Sequence, residues 1–569
     1  MVVPSIWKHS AVNTSIADKI ASSLKLHPVV ARLLVNRGIT SDSDAQLFLR
    51  PTLDQLHDPF MLTDLQIAVD RVLLAIQRHE KIAVHGDYDV DGVTATVIMY
   101  RILSLLGGNV IHYIPNRLSD GYGLSAEGID RLKEAGTTLV VTVDCGIKST
   151  VAAERARAVG VDLIITDHHQ PGATLPQALA VINPRRQDCR YPDKNLAGVG
   201  VAFKLIQALC QRTDHTHWLS SVLKLVALGT IADVVPLQGE NRVMARLGLN
   251  EFARNRNSQG LQALIDSCDL TTKRIRSQEI GFLLAPRINA AGRMARPDIA
   301  VRLLLTMGDT ERDHAKTLAQ TLARENSRRR REEGEVFEAA FRQIESNPEV
   351  RDSNILIVWG RDWHRGVIGI VASKLKERFN RPAMVLSVDG DLAHGSARSV
   401  PGFHLLNAME ECGRLFEQFG GHSQAAGMVV RTKNLDGLRT GLSNVVNREL
   451  DQEQLSRSFA IDATLRLSDI TPGLMGDLER LEPFGRENAK PIFQVNSVEI
   501  VNGPHVIKDT HLRMTVNQDG HSFRAMAWRA AGRISEFHGR RSDRALLVSL
   551  SENSYRGETF IQLDIADIK

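Results

Sequence analysis

The chain of 569 residues is sparing in cysteine and in aromatic side chains, and it lacks long apolar runs. Its five cysteines include no Cys-x-x-Cys pair and are odd in number, so neither a disulfide framework nor a cysteine-ligated zinc site is indicated. Residues 1–8 show no basic start followed by an apolar core, and no run reaches transmembrane length. We therefore expect a cytoplasmic protein in a reducing environment.

Neither sign of charge dominates. The chain has 70 basic and 66 acidic residues, so its net charge of +4 gives little indication of a polyanionic partner. Hydrophobic residues at 43% and charged residues at 24% are ordinary for a globular protein. A length of 569 residues exceeds what one hydrophobic core supports, and it predicts about three or four domains.

The rest of the chain is organised around residues 81–92, KIAVHGDYDVDG. The apolar run Ile82–Val84 predicts a buried strand that breaks at Gly86, and a helical segment follows at 93–106. The turn between them carries carboxylates at alternate positions: Asp87, Asp89 and Asp91. One such turn alone is most simply an acidic loop in solvent, because aspartate is common in turns. Carboxylates this close also repel each other unless cations lie among them.

The acidic turn is not isolated, because more polar side chains follow apolar runs further along the chain. Strand and helix patterns alternate from about residue 60 to 245, which predicts a parallel sheet. The apolar runs 139–143, 163–166 and 222–228 precede Asp144, Asp167-His168-His169 and the segment with Asp233. The carboxyl ends of parallel strands lie at one edge of a sheet, so we expect a common site there. Its members would be Asp89, Asp91, Asp144, His168 and Asp233.

The side-chain types in this group indicate the kind of site. A single histidine is more often an ordinary surface residue, but adjacent histidines after an aspartate, close to further acids, favour a metal site. Carboxylates with imidazoles and without thiolates are typical of Mn²⁺ or Mg²⁺ rather than structural zinc. Several carboxylates can hold two such ions about 3.5–4 Å apart. The residues thus predict a centre for Mn²⁺ or Mg²⁺, two ions in all.

Three short motifs resemble, in order, those of the DHH phosphoesterase superfamily: residues 87–92, 143–146 and 167–169. The stretches LAGVGVAFK at 196–204 and PRINAAGR at 286–293 narrow the resemblance to the RecJ exonuclease family, over residues 60–569. It implies an α/β fold: a parallel-sheet DHH domain joined by a long helix to a smaller α/β DHHA1 domain, followed by an OB-type β-barrel. The expected boundaries are 1–60 for an N-terminal extension, 61–305 for DHH, 306–348 for the helix, 349–455 for DHHA1 and 456–569 for the barrel.

The resemblance and the metal hypothesis together suggest roles for individual residues. The expected metal ligands are His85, Asp87, Asp89, Asp91, Asp144, His168 and Asp233. Asp144 would bridge the ions; Asp89 with His85 or Asp87 would complete one, and Asp91, His168 and Asp233 the other. The expected catalytic residues are Asp91, Asp144, His169 and His422, of which His169 would steady the developing oxyanion or aid the leaving group. The expected substrate-binding residues are Arg117, Arg287, Asn289, Ser396, Arg398 and His422.

The middle of the chain is expected to connect and cover the site. Residues 310–346 contain no proline and space their apolar side chains helically, which predicts one helix on the order of 50 Å long. Its run Arg328–Arg331 could bind nucleic acid, but a solvated face with i,i+4 ion pairs is the favoured interpretation. Small-residue loops at 394–399 and 419–427 resemble the DHHA1 domain. That resemblance implies that Ser396 and Arg398 receive a 5′ phosphate and that His422 lies near the scissile phosphate.

The last part of the chain changes its hydrophobic period to two. From Phe459 onward, alternating residues and a hairpin turn at 518–520 predict about five short strands. Such a pattern suits an OB-type barrel that binds single strands. The candidate contacts are Arg513, Arg524, Trp528 and Arg529, although Trp528 is equally well explained as barrel core. In one departure from the family pattern, Glu487 stands before Asn488, where glycine is common.

The implied function is a single-stranded-DNA-specific 5′→3′ exonuclease that releases 5′-mononucleotides by two-metal hydrolysis, in DNA recombination and repair. The expected partners are single-stranded DNA with a 5′ end and, by family resemblance, a single-strand-binding protein and a helicase. The protein is expected to be monomeric and not bound to a membrane. A DHH hydrolase of small substrates would need no barrel, and a catalytically dead scaffold should have lost its carboxylates. RNA as the main substrate stays open, because discrimination of the 2′-hydroxyl depends on local fit.

Overall fold

The computed structural model of the protein describes residues 5–115, 123–254, 257–294, 297–451, 453–539, 544–555 and 558–569. The chain begins with β1 (Ser5–His9), α1 (Thr14–Leu24), α2 (Pro28–Asn36) and α3 (Asp42–Leu49). α2 starts at a proline and is followed by Gly38 at φ +79°, so both ends carry ordinary helix signals.

The first α/β domain is built on a parallel sheet. Its elements are α4 (Leu65–Gln77), β2 (Lys81–Gly86), α5 (Val90–Leu105), β3 (Asn109–Tyr113), α6 (Ala126–Glu134), β4 (Leu139–Val143), α7 (Thr150–Ala158), β5 (Asp162–Thr166) and β6 (Ala180–Ile182). The strand order is β3-β2-β4-β5-β6. Gly86 lies opposite Val143, and Val143 opposite Thr166. The ends of β2, β4 and β5 are therefore level, and the residues that follow them leave the sheet at one edge.

Helices complete this domain and correct one prediction. They are α8 (Gly198–Arg212), α9 (Leu219–Ala232), α10 (Gly239–Ala253), α11 (Gln259–Asp266), α12 (Ser277–Glu279), a π-helical turn (Ile280–Leu284), α13 (Ala285–Met294) and α14 (Asp298–Leu305). The apolar segment 222–228 was expected to act like the strands before it, but it lies in α9. The helix is buried without interruption from Val222 to Thr230, and periodicity cannot separate such a helix from a buried strand. Asp233 thus reaches the sheet edge from a helix end.

A long helix leaves the first domain, as predicted. α15 (Arg312–Ser346) has 35 residues and spans about 52 Å at 1.5 Å per residue. Arg329 and Arg331 pair with the glutamates four residues on, which confirms the expected i,i+4 pairs. The Arg331 pair is exposed as expected, but Arg329 and Glu333 are buried. The short α16 (Pro348–Arg351) follows. Within the described ranges, no helix has both the length and the apolar character needed to cross a membrane.

The second α/β domain is smaller and has a mixed sheet. Its elements are β7 (Leu356–Arg361), α17 (Ile368–Phe379), β8 (Ala383–Asp389), β9 (Leu392–Arg398), α18 (Leu405–Glu411), β10 (Phe416–Gly421), β11 (Ala425–Arg431) and α19 (Leu435–Glu449). The strand order is β10-β11-β9-β8-β7, in which β7 and β8 are parallel and the other neighbours antiparallel. This sheet packs on α17 and on the end of α15.

A closed barrel ends the chain. Its part of the sequence contains β12 (Arg457–Ile461), β13 (Ala463–Thr464), α20 (Pro472–Glu479), β14 (Phe493–Ile507), β15 (His511–Gln518), β16 (His521–Ala527), α21 (Ile534–Phe537), β17 (Arg544–Tyr555) and β18 (Glu558–Ile568). The order β14-β15-β16-β18-β17 closes because β17 pairs again with β14. Asp519 and Gly520, both at positive φ, form the predicted hairpin turn.

The N-terminal helices pack on this barrel. Their buried side chains form one apolar cluster with those of the barrel and α20. β1 pairs in parallel with β12, and the Ser5 and Trp7 side chains both donate hydrogen bonds to Asp567. The two ends of the chain thus share a core, which a pattern of local periodicity does not reveal.

Candidate metal centre

Backbone contacts hold the acidic turn after β2 in shape. Asp89 is the N-cap of α5, and its Oδ1 accepts a hydrogen bond from Gly92 N at 3.1 Å. Gly92 has no room for a side chain, because a Cβ atom there would lie 2.6 Å from the backbone N and O of Asp87. The turn therefore presents Asp87, Asp89 and Asp91 within a short stretch at the start of one helix.

Asp91 is buried and caps a second helix. Its Oδ2 accepts a hydrogen bond from Gly198 N at 2.7 Å, and its Oδ1 accepts one from Val199 N at 2.8 Å. The positive end of α8 therefore points at this carboxylate. A Cβ atom on Gly198 would lie 2.4 Å from Oδ1 of Asp144, so only glycine lets α8 approach both acids. The glycines of the LAGVGVAFK stretch thus have a packing role at the site.

His168 lies among the acids. Its Nε2 is 3.2 Å from Asp144 Oδ1, 3.7 Å from Asp233 Oδ2 and 3.9 Å from Asp91 Oδ2. Nε2 of His168 and Oδ1 of Asp144 are buried and make no hydrogen bond. Buried polar atoms without partners are uncommon in proteins, and each calls for an explanation. Here they face one another in a space bounded by carboxylates, as the ligands of a cation would.

The potential ligands fall into two compact sets. One set is Asp87, Asp89 and Asp144, and the other is Asp91, His168 and Asp233. Within each set, one ligand atom from every residue lies within 4.8 Å of the others. Asp144 also clusters with His168 and His169, so it stands between the two sets. These oxygen-rich sets with one imidazole suit ions of the Mn²⁺ and Mg²⁺ class.

The charges of these groups are unbalanced. Burial raises the pKa of Asp91 to about 7, and the charge of Asp89 adds to the effect. Burial and the neighbouring carboxylates, Asp91 foremost, also raise the pKa of Asp144 well above its usual value. Burial lowers the pKa of His168 to about 3. Divalent cations would supply the missing positive charge, so the side chains present fit such ions.

His85 lies near the end of β2, directly before the acidic turn, and its role as a metal ligand stays a prediction. It is buried, with its ring 5.3 Å from that of Tyr113 and its Nδ1 3.6 Å from Cys145 Sγ. Burial lowers the pKa of His85 to about 4, so the imidazole is neutral near pH 7. Of the expected alternatives, His85 or Asp87 beside Asp89, the geometry groups Asp87 with Asp89.

Asp167 is a site residue that sequence reasoning missed. Its Oδ1 accepts hydrogen bonds from the His169 ring Nδ1 at 2.7 Å and from the backbone N of His168 and His169. Its Oδ2 accepts one from Ile147 N at 2.9 Å. Burial opposes the charged form of His169, but the bond to Asp167 outweighs it and raises the pKa of His169 above its usual value. The available signal was the aspartate directly before the paired histidines.

Two of the expected substrate-binding residues make protein contacts. Oδ1 of Asn289 accepts a hydrogen bond from Val90 N at 3.1 Å, so this side chain touches the acidic turn. Arg287 donates to the carbonyl of Ser267 at 2.7 Å and to that of Leu283 at 3.0 Å. Both side chains therefore have structural contacts here, and direct binding of substrate by either stays a prediction.

Ser396 and Arg398 come together on β9. Nη1 of Arg398 donates a hydrogen bond to Ser396 Oγ at 2.9 Å. The first turn of α17 lies against them, because a Cβ atom on Gly369 would be 3.0 Å from Ser396 Oγ and 3.1 Å from Arg398 Nη2. A hydroxyl, a guanidinium and a helix N-terminus are together well suited to a phosphate. Arg117, also expected to bind substrate, lies outside the described residues.

His422 directly follows β10 of the second domain and lies within electrostatic range of His169. Burial and then the positive charges of Lys148, His169 and Arg185 lower the pKa of His422, so these side chains share one neighbourhood. Arg185 also lowers the pKa of His168, after burial and His169. Sequence reasoning did not single out Lys148 or Arg185, since one basic residue in a loop forms no pattern. Their charges leave the space between the domains favourable to an anion.

A cleft lies between the end of α9 and the barrel. Val234, next to Asp233, and Phe282 of the π-helical turn line one side, and Trp528 lies on the barrel side. Trp528 is 53% exposed, and its Nε1 donates to Asp564 Oδ1 at 3.1 Å. The interpretation of Trp528 as barrel core is therefore wrong. The cleft offers the exposed side chains of Val234, Phe282 and Trp528. Acidic and basic side chains also line it: Glu279, Glu479, Glu482, Glu552, Asp564, Arg276 and Lys490.

The fold and the site together define a class. A parallel sheet with carboxylates and histidines at its carboxyl edge, faced by a second domain with a phosphate-binding arrangement, is the architecture of a metal-dependent phosphoesterase of the DHH type. Family models agree with this. The DHH family, N-terminal domain, matches residues 81–230, the DHHA1 domain matches 352–448, and the RecJ OB domain matches 461–567.

Individual relatives identify the family. The chain is 37% identical to the single-stranded-DNA-specific exonuclease RecJ of Bacillus subtilis over 516 residues, covering 90% of this chain and 64% of that protein. It is 33% identical to the same-named protein of Escherichia coli over 564 residues, covering 96% of each. The crystal structure of RecJ in complex with Mn²⁺ from Thermus thermophilus matches with a TM-score of 0.84 at 28% identity, covering 99% of this chain and 79% of that one. The chain belongs to the RecJ family.

Proposed function

We propose that the protein is a metal-dependent exonuclease that degrades single-stranded DNA from its 5′ end and releases 5′-mononucleotides. The observation that carries this proposal is the unpartnered His168–Asp144 pair, set among further carboxylates at the sheet edge. The names of the B. subtilis and E. coli relatives support the substrate, and the metal-bound T. thermophilus structure supports the cofactor. A role in DNA recombination and repair follows from the family.

The proposed ligands divide between two Mn²⁺ or Mg²⁺ ions. Asp144 would be shared, with Asp87 and Asp89 on one ion and Asp91, His168 and Asp233 on the other. His85 is the alternative to Asp87 as a ligand of the first ion. When bound, two such ions lower the pKa of a coordinated water and neutralise charge on the phosphate. The buried carboxylates position these ions, and α8 holds Asp91 in place through two backbone hydrogen bonds.

His169 is proposed to act on the reacting phosphate. Asp167 fixes its ring through Nδ1 and favours its protonated form, so His169 can donate a proton or hydrogen bond to an oxygen that gains charge. His422 would face it from the second domain, with Lys148 and Arg185 adding positive charge nearby. This arrangement supports stabilisation of a phosphate between the domains.

The proposed direction of digestion depends on the second domain. Ser396, Arg398 and the start of α17 would bind the 5′-terminal phosphate. Arg287 and Asn289 would help to bind the same DNA strand. Asn289 would do so through its hydrogen bond with the acidic turn. The remainder of the strand would follow the cleft past Phe282 to Trp528, where bases can stack without regard to sequence. The width of this route would favour single strands over duplex.

The cellular setting is a further part of the proposal. We propose that the protein acts as a cytoplasmic monomer on 5′-ended single strands that a helicase exposes and a single-strand-binding protein covers. Family resemblance supports these partners.

The decisive experiment compares single-stranded DNA, duplex DNA and RNA, labelled at the 5′ or 3′ end, with Mn²⁺, Mg²⁺ or a chelator. We expect 5′ label on single-stranded DNA to appear first as mononucleotide, and only with metal. Release of 3′ label first, or cleavage of small phosphodiesters alone, would refute the proposal. Faster digestion of RNA than of DNA would change the substrate but keep the chemistry.

A further inference from the structure

Helix α13, which carries the whole PRINAAGR stretch, lies between the two halves of the proposed site. On one side it touches the acidic turn, since Asn289 Oδ1 accepts a hydrogen bond from Val90 N at 3.1 Å. Val90 is the residue between Asp89 and Asp91. A Cβ atom on Gly292 would lie 2.5 Å from the carbonyl oxygen of Tyr88, so helix and turn are in direct backbone contact.

The next residue of α13 touches the second domain. Nη1 of Arg293 donates a hydrogen bond to the carbonyl oxygen of Gly366 at 3.0 Å. A Cβ atom on Gly366 would lie 2.9 Å from the carbonyl oxygen of Arg293, so the two backbones also meet here. Gly366 is in the loop that leads into α17, whose Gly369 lies against Ser396 and Arg398. This loop is therefore part of the arrangement that would hold the 5′ phosphate.

One rigid helix thus contacts both the metal-binding turn and the phosphate-binding loop. Asn289, Gly292 and Arg293 are spaced by three and four residues, which places them on neighbouring parts of one helix face. Positions 289 and 293 are about 6 Å apart along the axis. The contacts are short and direct, so a shift of either partner would have to move α13 as well.

We propose that α13 sets the distance between the 5′-phosphate site and the metal centre, and so determines which phosphodiester bond is cut. Asn289 and Arg293 are positioning residues in this inference, which rests on the proposed exonuclease function. An exonuclease that anchors the terminal phosphate measures its product by the span from that anchor to the reacting phosphate. A looser span would let the strand settle one nucleotide out of register, and dinucleotides would appear among the products.

The test is product length from 5′-labelled, 5′-phosphorylated single-stranded DNA with the full-length protein in Mn²⁺. Wild type should release mononucleotide. Arg293→Ala should raise the dinucleotide fraction at least fivefold, because the link to Gly366 is lost. Arg293→Lys keeps a charged hydrogen-bond donor at this position, so its dinucleotide fraction should be close to that of wild type. Arg302→Ala is the matched control, since this arginine lies on α14 with its side chain 51% exposed, and it should leave the products unchanged.

Asn289→Ala provides an independent variant if Arg293→Ala does not fold. It removes the contact with the acidic turn and should likewise broaden the product lengths. It should also weaken Mn²⁺ binding measured by calorimetry, which Arg293→Ala should not do. Variants that fold and still release mononucleotide alone would overturn the role of α13. A wild-type protein that fails to digest the labelled strand would instead overturn the proposed function itself.

Discussion

Nε2 of His168 lies 3.2 Å from Oδ1 of Asp144, and both atoms are buried without a hydrogen-bond partner. A buried polar atom that makes no hydrogen bond costs about 1–3 kcal/mol. The cost is greater here because further carboxylates raise the pKa of Asp144 and burial lowers that of His168. The folded protein without cations therefore holds electrostatic repulsion that bound metal would remove.

We expect Mn²⁺ to stabilise the first domain strongly. A ligand at one hundred times its dissociation constant adds about 2.7 kcal/mol to the free energy of unfolding. The unfolding temperature should therefore rise with Mn²⁺ and fall with a chelator. Asp144→Asn should remove this response and should itself raise the unfolding temperature in chelator, since it deletes a buried like charge. Asp436→Asn, at a side chain 88% exposed, is the control and should respond like wild type. An unfolding temperature indifferent to Mn²⁺ would contradict the metal centre.

Asp91 and Asp233 should differ in their effect on stability though both are needed for turnover. Asp91→Ala removes the acceptor of two backbone hydrogen bonds at the start of α8, and loss of such a cap costs about 0.5–2 kcal/mol. Asp233→Ala removes a ligand at the end of α9 without uncapping a helix start. Both variants should lose nuclease activity while single-strand binding persists, but only Asp91→Ala should unfold earlier in chelator. Thermal unfolding and a fluorescence binding assay together check this, and retained digestion by Asp91→Ala would exclude its proposed role.

Metal affinity should strengthen as pH rises through neutrality. The folded metal-free protein keeps a proton on Asp91 up to about pH 7, whereas the unfolded chain loses it near pH 4. Taken alone, Asp91 should make the stability in chelator fall as the pH rises between these two values, because the folded state binds more protons than the unfolded chain. His168, whose pKa is lowered to about 3, acts in the opposite direction but only below its unfolded value near 6.5. Between pH 6.5 and 7.5 the Mn²⁺ dissociation constant should drop, with proton release measured by calorimetry in two buffers. Equal affinity across this window would contradict the raised pKa of Asp91.

The sequence could predict those site residues that directly follow a strand of the parallel sheet. Asp87 and Asp144 each follow a strand whose last residue is level with its neighbours, so their meeting follows from the parallel sheet alone. Asp233 was placed correctly in space but on the wrong element, because a fully buried helix has no polar face to reveal its period. Lys148 and Arg185 could not be found, since their place near His422 depends on how two domains face each other.

The barrel could be predicted from the sequence, but its packing against the N-terminal helices could not. Period-two alternation and the turn at Asp519-Gly520 predicted the barrel, because each of those signals is local. The N-terminal helices and the barrel share one core, although they are more than 400 residues apart in the sequence. The local pattern of neither segment indicates that it packs against the other. The motif predicts that Asn289 binds substrate, and this stays a prediction. Its contact with Val90 N depends on the packing of α13, which no local pattern indicates.

Glu487 occupies a position before Asn488 where glycine is common in the family, and the effect of this difference on stability can be tested. It stands at φ +57°, a left-handed conformation that costs a non-glycine residue about 1–2 kcal/mol. Glu487→Gly should therefore raise the free energy of unfolding by about 0.5–1 kcal/mol, after allowance for the greater freedom of glycine in the unfolded chain. Glu499→Gly, in strand β14, lacks this relief and should destabilise instead. Denaturant unfolding of both variants checks the sign, and destabilisation by Glu487→Gly would contradict the strain.

Trp528 should contribute to single-strand binding rather than to the barrel core. Its ring is 53% exposed and lines a groove with Arg513 and with Arg524, whose guanidinium lies 4.4 Å from the Phe560 ring centroid. Stacking of one base on an aromatic side chain is worth about 1–3 kcal/mol, so Trp528→Ala should weaken binding of a labelled oligothymidine about 5- to 150-fold. Because the side chain is on the surface, the unfolding temperature should change by no more than about 2 °C. Trp218→Ala, in the first domain beside His215, is the control and should leave affinity unchanged. Binding is measured in chelator so that the strand is not digested. Unaltered affinity together with a large fall in the unfolding temperature would contradict the binding role and indicate that Trp528 stabilises the barrel instead.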